Sequence, residues 1–244
     1  MVFIGARCGE EVVCAGGILR RFASLGARVT IVALSRRLTT ALALGATAWE
    51  SPLPVALQAS AEQLGATRVE LLDMPEPPLV PASRVALQAQ LAALIRVERP
   101  QLVLSHGPAL RTEAVDRRAA VTLVEGAIVA AATNTYGQHP RAPQVPAHEI
   151  RERWLFMSHD AAAIARGRAA DERGLTRTRG DWLVFDAKTM RDLKWRALRG
   201  YVASAPSDPP AELARLLGEE RFLRIVNPVS GVSLGTRRRR ASIA

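Results

Sequence analysis

The stretch GARCGEEVVCAGGIL, residues 5 to 19, follows a short apolar run and leads into an apolar-periodic one. The turn there looks by its spacing like a metal-site turn, and Cys8, Glu10, Glu113, Asp116 and His106 are the donors that could lie near it, since thiolate, carboxylate and imidazole are all zinc donors. His106, at the end of a later apolar run, would add an imidazole, and a Cys/Glu/His trio is chemically acceptable for a transition metal. Arg7 argues the other way, since a guanidinium is permanently cationic and has no lone pair to donate. Cys8 beside Arg7 and near a helix N-terminus is in a setting that lowers a thiol's pKa, although no His is placed near it by spacing to serve as a base. Glu11 opens a helix, where a carboxylate caps free amides and suits the dipole. His106 is readable either as an acid or base facing a pocket or as a hydrogen-bonded loop residue. Spacing gives His139, His148 and His159 no partner.

Whether these side chains meet depends on the elements that carry them. MVFIGA reads as a strand and Val12 to Leu25 as a helix. ARVTIVALS (27 to 35) reads as a second strand, preceded by Gly26 at the helix C-cap. The pattern repeats with a helix over 55 to 64 ending at Gly65, a strand at TRVELLDM (67 to 74), a helix over 83 to 97, and a strand at QLVLSH (101 to 106). A long helix follows from Ala114 to Ala132, then a strand at RWLFM. Strand and helix in alternation imply a Rossmann-like, doubly wound α/β fold with a mostly parallel sheet in a single domain. Ligands of such sheets sit beyond the carboxyl ends of the strands, here the loops at 5 to 11, 35 to 40, 73 to 81 and 105 to 116. Residues 134 to 150, with three Pro and a Gly, form a loop long enough to overhang a site.

The 244 residues, 48% hydrophobic, suit one sizeable core. No run approaches the ~18 apolar residues of a membrane helix, and no leader-like segment opens the chain, so a soluble, cytoplasmic protein is expected. Cys8 and Cys14 match neither a disulfide framework nor a zinc ribbon and are expected to be reduced. The net charge of +10 raises the question of nucleic acid, but all but two of the 33 basic residues are Arg, and Arg237 to Arg240 concentrate four of them in a C-terminal tail. Without an aromatic stripe beside the charge, the composition argues against nucleic-acid binding.

Beyond composition, FIGARCGEEVVCAGGIL resembles the opening of the PIG-L/LmbE family of zinc-dependent N-acetylglucosaminyl deacetylases, roughly A-H-P-D-D-E-x-x-x-x-G-G-x-L. Ala6, Glu11, Gly16, Gly17 and Leu19 fall in register. AEQLGA (61 to 66) and FDAKTMRDLKWRALRGYVAS (185 to 204) resemble further segments in the family's order. The resemblance spans residues 1 to 225 and leaves 226 to 244 as an Arg-rich extension.

The resemblance also implies what is missing. The family's first His falls on Arg7, the Pro on Cys8, the general base on Gly9 and the ligand Asp on Glu10. In its second turn Ala114 takes the position of the His that assists the oxyanion, Asp116 that of an Asp, and Arg117 that of the ligating His. The family's R-x-x-E pair has no counterpart in SPLPVALQ (51 to 58). Two of three ligands and the base are therefore gone, and a metal-free, catalytically degenerate domain is expected, with no cofactor. Arg7 and Arg117 then have two readings. They pair internally with Glu10, Glu11 and Asp116, or they form an anion site for phosphate, carboxylate or a nucleotide sugar. A protein partner is a further possibility for such a domain, and an active hydrolase with a rearranged metal site is the alternative. An NADP-binding reading from Gly5, Gly9, Arg36 and Arg37 fails, because the third glycine is absent and Glu10 and Glu11 would face the pyrophosphate.

Overall fold

The structure is a computed structural model, and it describes residues 1–39, 53–75, 79–107, 115–133, 145–156, 181–202 and 206–226. Seven strands form one sheet: β1 (Val2–Cys8), β2 (Thr30–Leu38), β3 (Arg68–Leu71), β4 (Leu102–His106), β5 (Glu152–Phe156), β6 (Asp181–Asp186) and β7 (Glu219–Val226). Their order across the sheet is β3-β2-β1-β4-β5-β7-β6. The first five are parallel, and β7 lies antiparallel between β5 and β6. The mostly parallel α/β sheet is as expected, while β6 and β7, which no periodicity announced, supply the antiparallel edge.

Alternation along β1 decides how the helices divide. Val2, Ile4 and Ala6 belong to one buried cluster and Phe3 and Cys8 to the other, so the strand is apolar on both faces, as a central parallel strand must be. The first face is covered by α3 (Pro81–Glu98) and α4 (Val115–Ala132). The second is covered by α1 (Glu10–Ser24), α2 (Leu53–Leu64), α5 (Arg191–Arg199) and α6 (Ala211–Leu217). Gly26 ends α1 with φ 83 and Gly65 follows α2 with φ 79, left-handed conformations that cost glycine little.

Several boundaries differ from the sequence reading. β1 continues through Arg7 and Cys8, and β2 through Arg36 and Arg37, so residues expected in loops are carried at strand ends. Parallel pairing explains the extension, since Arg7 lies opposite Ser35 and Cys8 opposite Leu38, with a shift in register between them. The proposed domain limit at residue 225 falls inside β7, which runs to Val226. Glu113, Ala114, His139, His159, most of the 134 to 150 loop and the Arg237 to Arg240 tail lie outside the described residues. The final part of that loop, 145 to 150, is described, and there His148 donates from Nε2 to the Pro100 carbonyl at 2.8 Å. Pro100 precedes β4, so this contact lies at the amino edge of the sheet and not over the site.

Among the described residues no helix is long and apolar enough to cross a membrane.

Candidate functional site

Three elements bring the site together at the carboxyl edge. β1 ends at Cys8, its neighbour β4 ends at His106, and α4 begins at Val115 with Asp116 and Arg117 in its first turn. Gly9 makes the turn from β1 into α1 at φ 88, ψ −16, a left-handed conformation that disfavours a β-carbon. This turn sets Glu10 and Glu11 side by side at the start of α1, both buried.

Glu10 is the centre of the cluster. Its Oε1 accepts from Arg117 Nε at 3.1 Å. Its Oε2 accepts the Arg7 backbone N–H at 3.1 Å and lies 2.8 Å from His106 Nε2. Burial pushes the Glu10 carboxyl upward, but the His106 imidazole, then the Arg117 guanidinium and the Arg7 amide, outweigh it and hold the group at about 2. The His106 ring rests against Phe156, with centroids 4.5 Å apart, and Phe156 stacks on Phe3 at 5.1 Å, so the floor beneath this polar cluster is aromatic.

Asp116 takes the other guanidinium. Arg7 Nε donates to Oδ2 at 2.6 Å and Nη2 to Oδ1 at 2.9 Å, a bidentate pair with both side chains buried. Oδ1 also accepts the Arg117 N–H at 3.0 Å. Burial opposes ionisation of Asp116, yet the Arg7 bond and charge prevail and lower its pKa. Arg37 Nε lies 3.9 Å from Oδ2, and its side chain is 50% exposed. Arg36 beside it pairs with Asp73 through two of its three guanidinium nitrogens, Nε and Nη2.

Glu11 departs from the expectation that it would neutralise an arginine. Its Oε2 accepts the Gly9 N–H at 2.8 Å, which keeps the capping role, while Oε1 accepts from Tyr201 Oη at 2.6 Å and from Ser60 Oγ at 3.0 Å. Burial dominates here and raises the Glu11 pKa against these donors. The Tyr201 hydroxyl is likewise raised well above its usual value, by burial and then by the adjacent Glu11 charge.

Cys8 overturns its sequence reading. The expected low thiol pKa depended on Arg7 and a helix N-terminus, but Arg7 is committed to Asp116. Burial, then Glu11 and Glu10, push the thiol to about 12. Its Sγ lies 3.6 Å from the Ser35 carbonyl, to which it can donate weakly. Neutral and enclosed, Cys8 packs as a small apolar residue.

The structure thus brings together Arg7, Glu10, His106, Asp116 and Arg117, with Gly9 as the turn, and it sets Glu11 in a second polar cluster. Ser60 gives no sequence signal beyond its place in the 55 to 64 helix, Arg37 enters the sequence analysis only through the rejected NADP reading, and Tyr201 only as part of the 185 to 204 segment. Among the described residues no group of three or more His, Cys, Asp or Glu side chains converges in a way that could hold a metal ion.

No protein-family model and no curated protein matches the sequence. Comparison with solved structures gives full-length similarity at low identity. A conserved protein of Thermus thermophilus superposes with TM-score 0.63 at 18% identity, covering 98% of this chain and 98% of that one. The 4-carboxy-2-hydroxymuconate hydratase GalB of Pseudomonas putida gives 0.64 at 18% identity, with 96% and 99% covered. The N,N'-diacetylchitobiose deacetylase of Pyrococcus horikoshii gives 0.62 at 16% identity, with 94% and 86% covered. The chain has the α/β fold of the PIG-L/LmbE-type deacetylases.

Proposed function

We propose that this protein is a catalytically degenerate, metal-free deacetylase-like domain that acts as a binding or interaction protein, with an anionic sugar or nucleotide sugar as its ligand class. One observation carries the reading. The two positions at which the sequence resemblance expects histidine ligands hold Arg7 and Arg117, and these guanidinium groups engage the carboxylates of Asp116 and Glu10. A zinc ion does not fit this donor set. It would need Glu10 and His106 to exchange their mutual 2.8 Å contact for metal bonds beside two buried cations, with no third donor converging among the described residues.

Sugar chemistry enters by analogy with the chitobiose deacetylase, and fold alone does not transfer it, since a hydratase shares the same architecture. The anionic part of the proposal rests on Arg37. With Arg7 and Arg117 held inside, Arg37 sets a half-exposed guanidinium at the rim, 3.9 Å from Asp116 Oδ2, where a phosphate or carboxylate can reach it. The test is paired: deacetylation of N-acetylated sugars by purified protein, and a thermal-shift screen with sugars, nucleotide sugars and phosphate. The proposal expects no deacetylation and a rise in melting temperature with an anionic sugar.

A second reading, an active amidohydrolase with a rearranged site, draws on the Glu10–His106 contact, which is a chemically competent proton-transfer pair. Turnover of an acetylated sugar that is lost in Glu10→Gln and His106→Ala would favour it over the first.

A further inference from the structure

A further buried ion pair, outside the carboxyl-edge cluster, lies against the middle of α1. Lys194 of α5 and Glu220 of β7 are both fully buried and meet at 2.6 Å from Nζ to Oε1. Glu220 Oε1 also accepts the Gly17 N–H at 2.6 Å, its Oε2 accepts the Ile18 N–H at 2.9 Å, and Lys194 Nζ donates to the Val13 carbonyl at 3.3 Å. In an uninterrupted α-helix the Gly17 amide bonds the Val13 carbonyl and the Ile18 amide bonds that of Cys14. The carboxylate therefore treats Gly17 and Ile18 as a helix N-terminus, and the ammonium treats Val13 as a helix C-terminus, both inside α1.

The glycine pair makes room for this insertion. A β-carbon on Gly17 would stand 3.1 Å from Glu220 Oε1 and 2.7 Å from the Phe185 ring, and one on Gly16 would stand 3.2 Å from Lys194 Cγ. Gly16 and Gly17 are thus explained by the approach of α5 and of the β6–β7 edge.

We infer that Lys194 and Glu220 are positioning residues for the carboxyl-edge cluster: by binding the backbone of α1 at Val13, Gly17 and Ile18 they set the direction in which its first turn presents Glu10 and Glu11. The first part of α1 carries both carboxylates, which accept the amides of Arg7 and Gly9. Its exit angle decides whether those bonds close. The C-terminal segment, far from the site in sequence, becomes a determinant of the site's geometry whatever the pocket binds.

The experiment is native-state hydrogen exchange on Lys194→Met/Glu220→Leu, which replaces the pair with apolar groups of similar size and removes the side-chain partners of the Gly17 and Ile18 amides. The inference expects a folded protein whose Arg7 and Gly9 amides exchange at least tenfold faster than in the unmodified chain, while amides of β2 and α3 change only with global stability. Glu220→Gln, which keeps the shape and an acceptor, should give the same pattern at smaller amplitude, and it carries the test alone if the double variant does not fold. Arg7 and Gly9 amides that keep their original protection, or that change only in step with β2 and α3, would overturn the inference and leave the pair a local core contact.

Discussion

Arg7 and Asp116, separated by 109 positions in the chain, form a buried bidentate pair that ties the C-terminal end of β1 to the first turn of α4. The consequence for stability is specific. Removing one partner, as in Arg7→Ala or Asp116→Asn, leaves a buried charge uncompensated and should cost about 3–5 kcal/mol. Arg7→Met/Asp116→Leu should cost much less than the two single changes together. A double-mutant cycle by urea unfolding reads the coupling, and strictly additive losses would contradict it.

The pH dependence follows from Glu10. Its folded-state value of about 2 lies below the ordinary value of 4.5, so it contributes stability that is fully present above 4.5 and lost as pH falls towards 2. Asp116, also lowered, adds loss in the acid range, whereas Glu11, raised by burial, gains its proton in the folded state above 4.5 and so adds stability as pH falls there without altering the slope below it. Unfolding free energy should therefore decline between pH 4.5 and 2 in the unmodified protein and decline less steeply in Glu10→Gln. Equal slopes would show that Glu10 is not held as described.

Tyr201→Phe deletes a single hydroxyl that donates to the buried Glu11 at 2.6 Å. Losing a hydrogen bond to a buried charged acceptor should destabilise the protein by about 1–3 kcal/mol. Ser60→Ala should act in the same direction with a smaller effect, given its longer 3.0 Å bond. Thermal unfolding of both variants checks the order.

Arg37→Ala should abolish any rise in melting temperature produced by a nucleotide sugar while leaving the ligand-free melting temperature nearly unchanged, because the side chain is half exposed, lies 3.9 Å from Asp116, and Asp116 keeps its bidentate bond to Arg7. A shift that survives this change would place the ligand elsewhere.

Much of this arrangement was legible beforehand, and the reasons are local. Apolar periodicity located β1, α1, β2 and α4, and the substitutions at residues 7 and 117 identified the two arginines because guanidinium chemistry excludes metal ligation in any context. The pairing of those arginines was only half legible. Charge counting offered three carboxylates, and only the turn at Gly9 shows that Glu10 faces Arg117 while Glu11 turns to Ser60 and Tyr201. Cys8 was misread because the influence of a neighbouring Arg depends on where its guanidinium goes, and Arg7 goes to Asp116. Lys194 lies in the 185 to 204 segment that the resemblance picked out, but nothing in the sequence pairs it with Glu220, because residues of different elements reveal nothing of each other until the chain folds.

Restoring metal chemistry should require concerted change. Arg7→His, Gly9→Asp, Glu10→Asp, Ala114→His and Arg117→His together rebuild the pattern that the sequence resemblance supplies, whereas single reversions should give no activity, because residues that act as a unit are strongly non-additive. Gly9→Asp carries an extra cost, since φ 88 is a strained conformation for a residue with a β-carbon. Deacetylase activity from any single reversion would contradict this account.

Paired guanidinium groups stand at the two positions where the sequence resemblance expects zinc-binding histidines, and elemental analysis tests the loss of that site most directly. Protein purified without chelator, then dialysed against excess zinc and desalted, should retain no stoichiometric metal, since Arg7 and Arg117 hold the carboxylates a metal would need. A full equivalent of zinc per chain, lost in Glu10→Gln and His106→Ala, would contradict the claim.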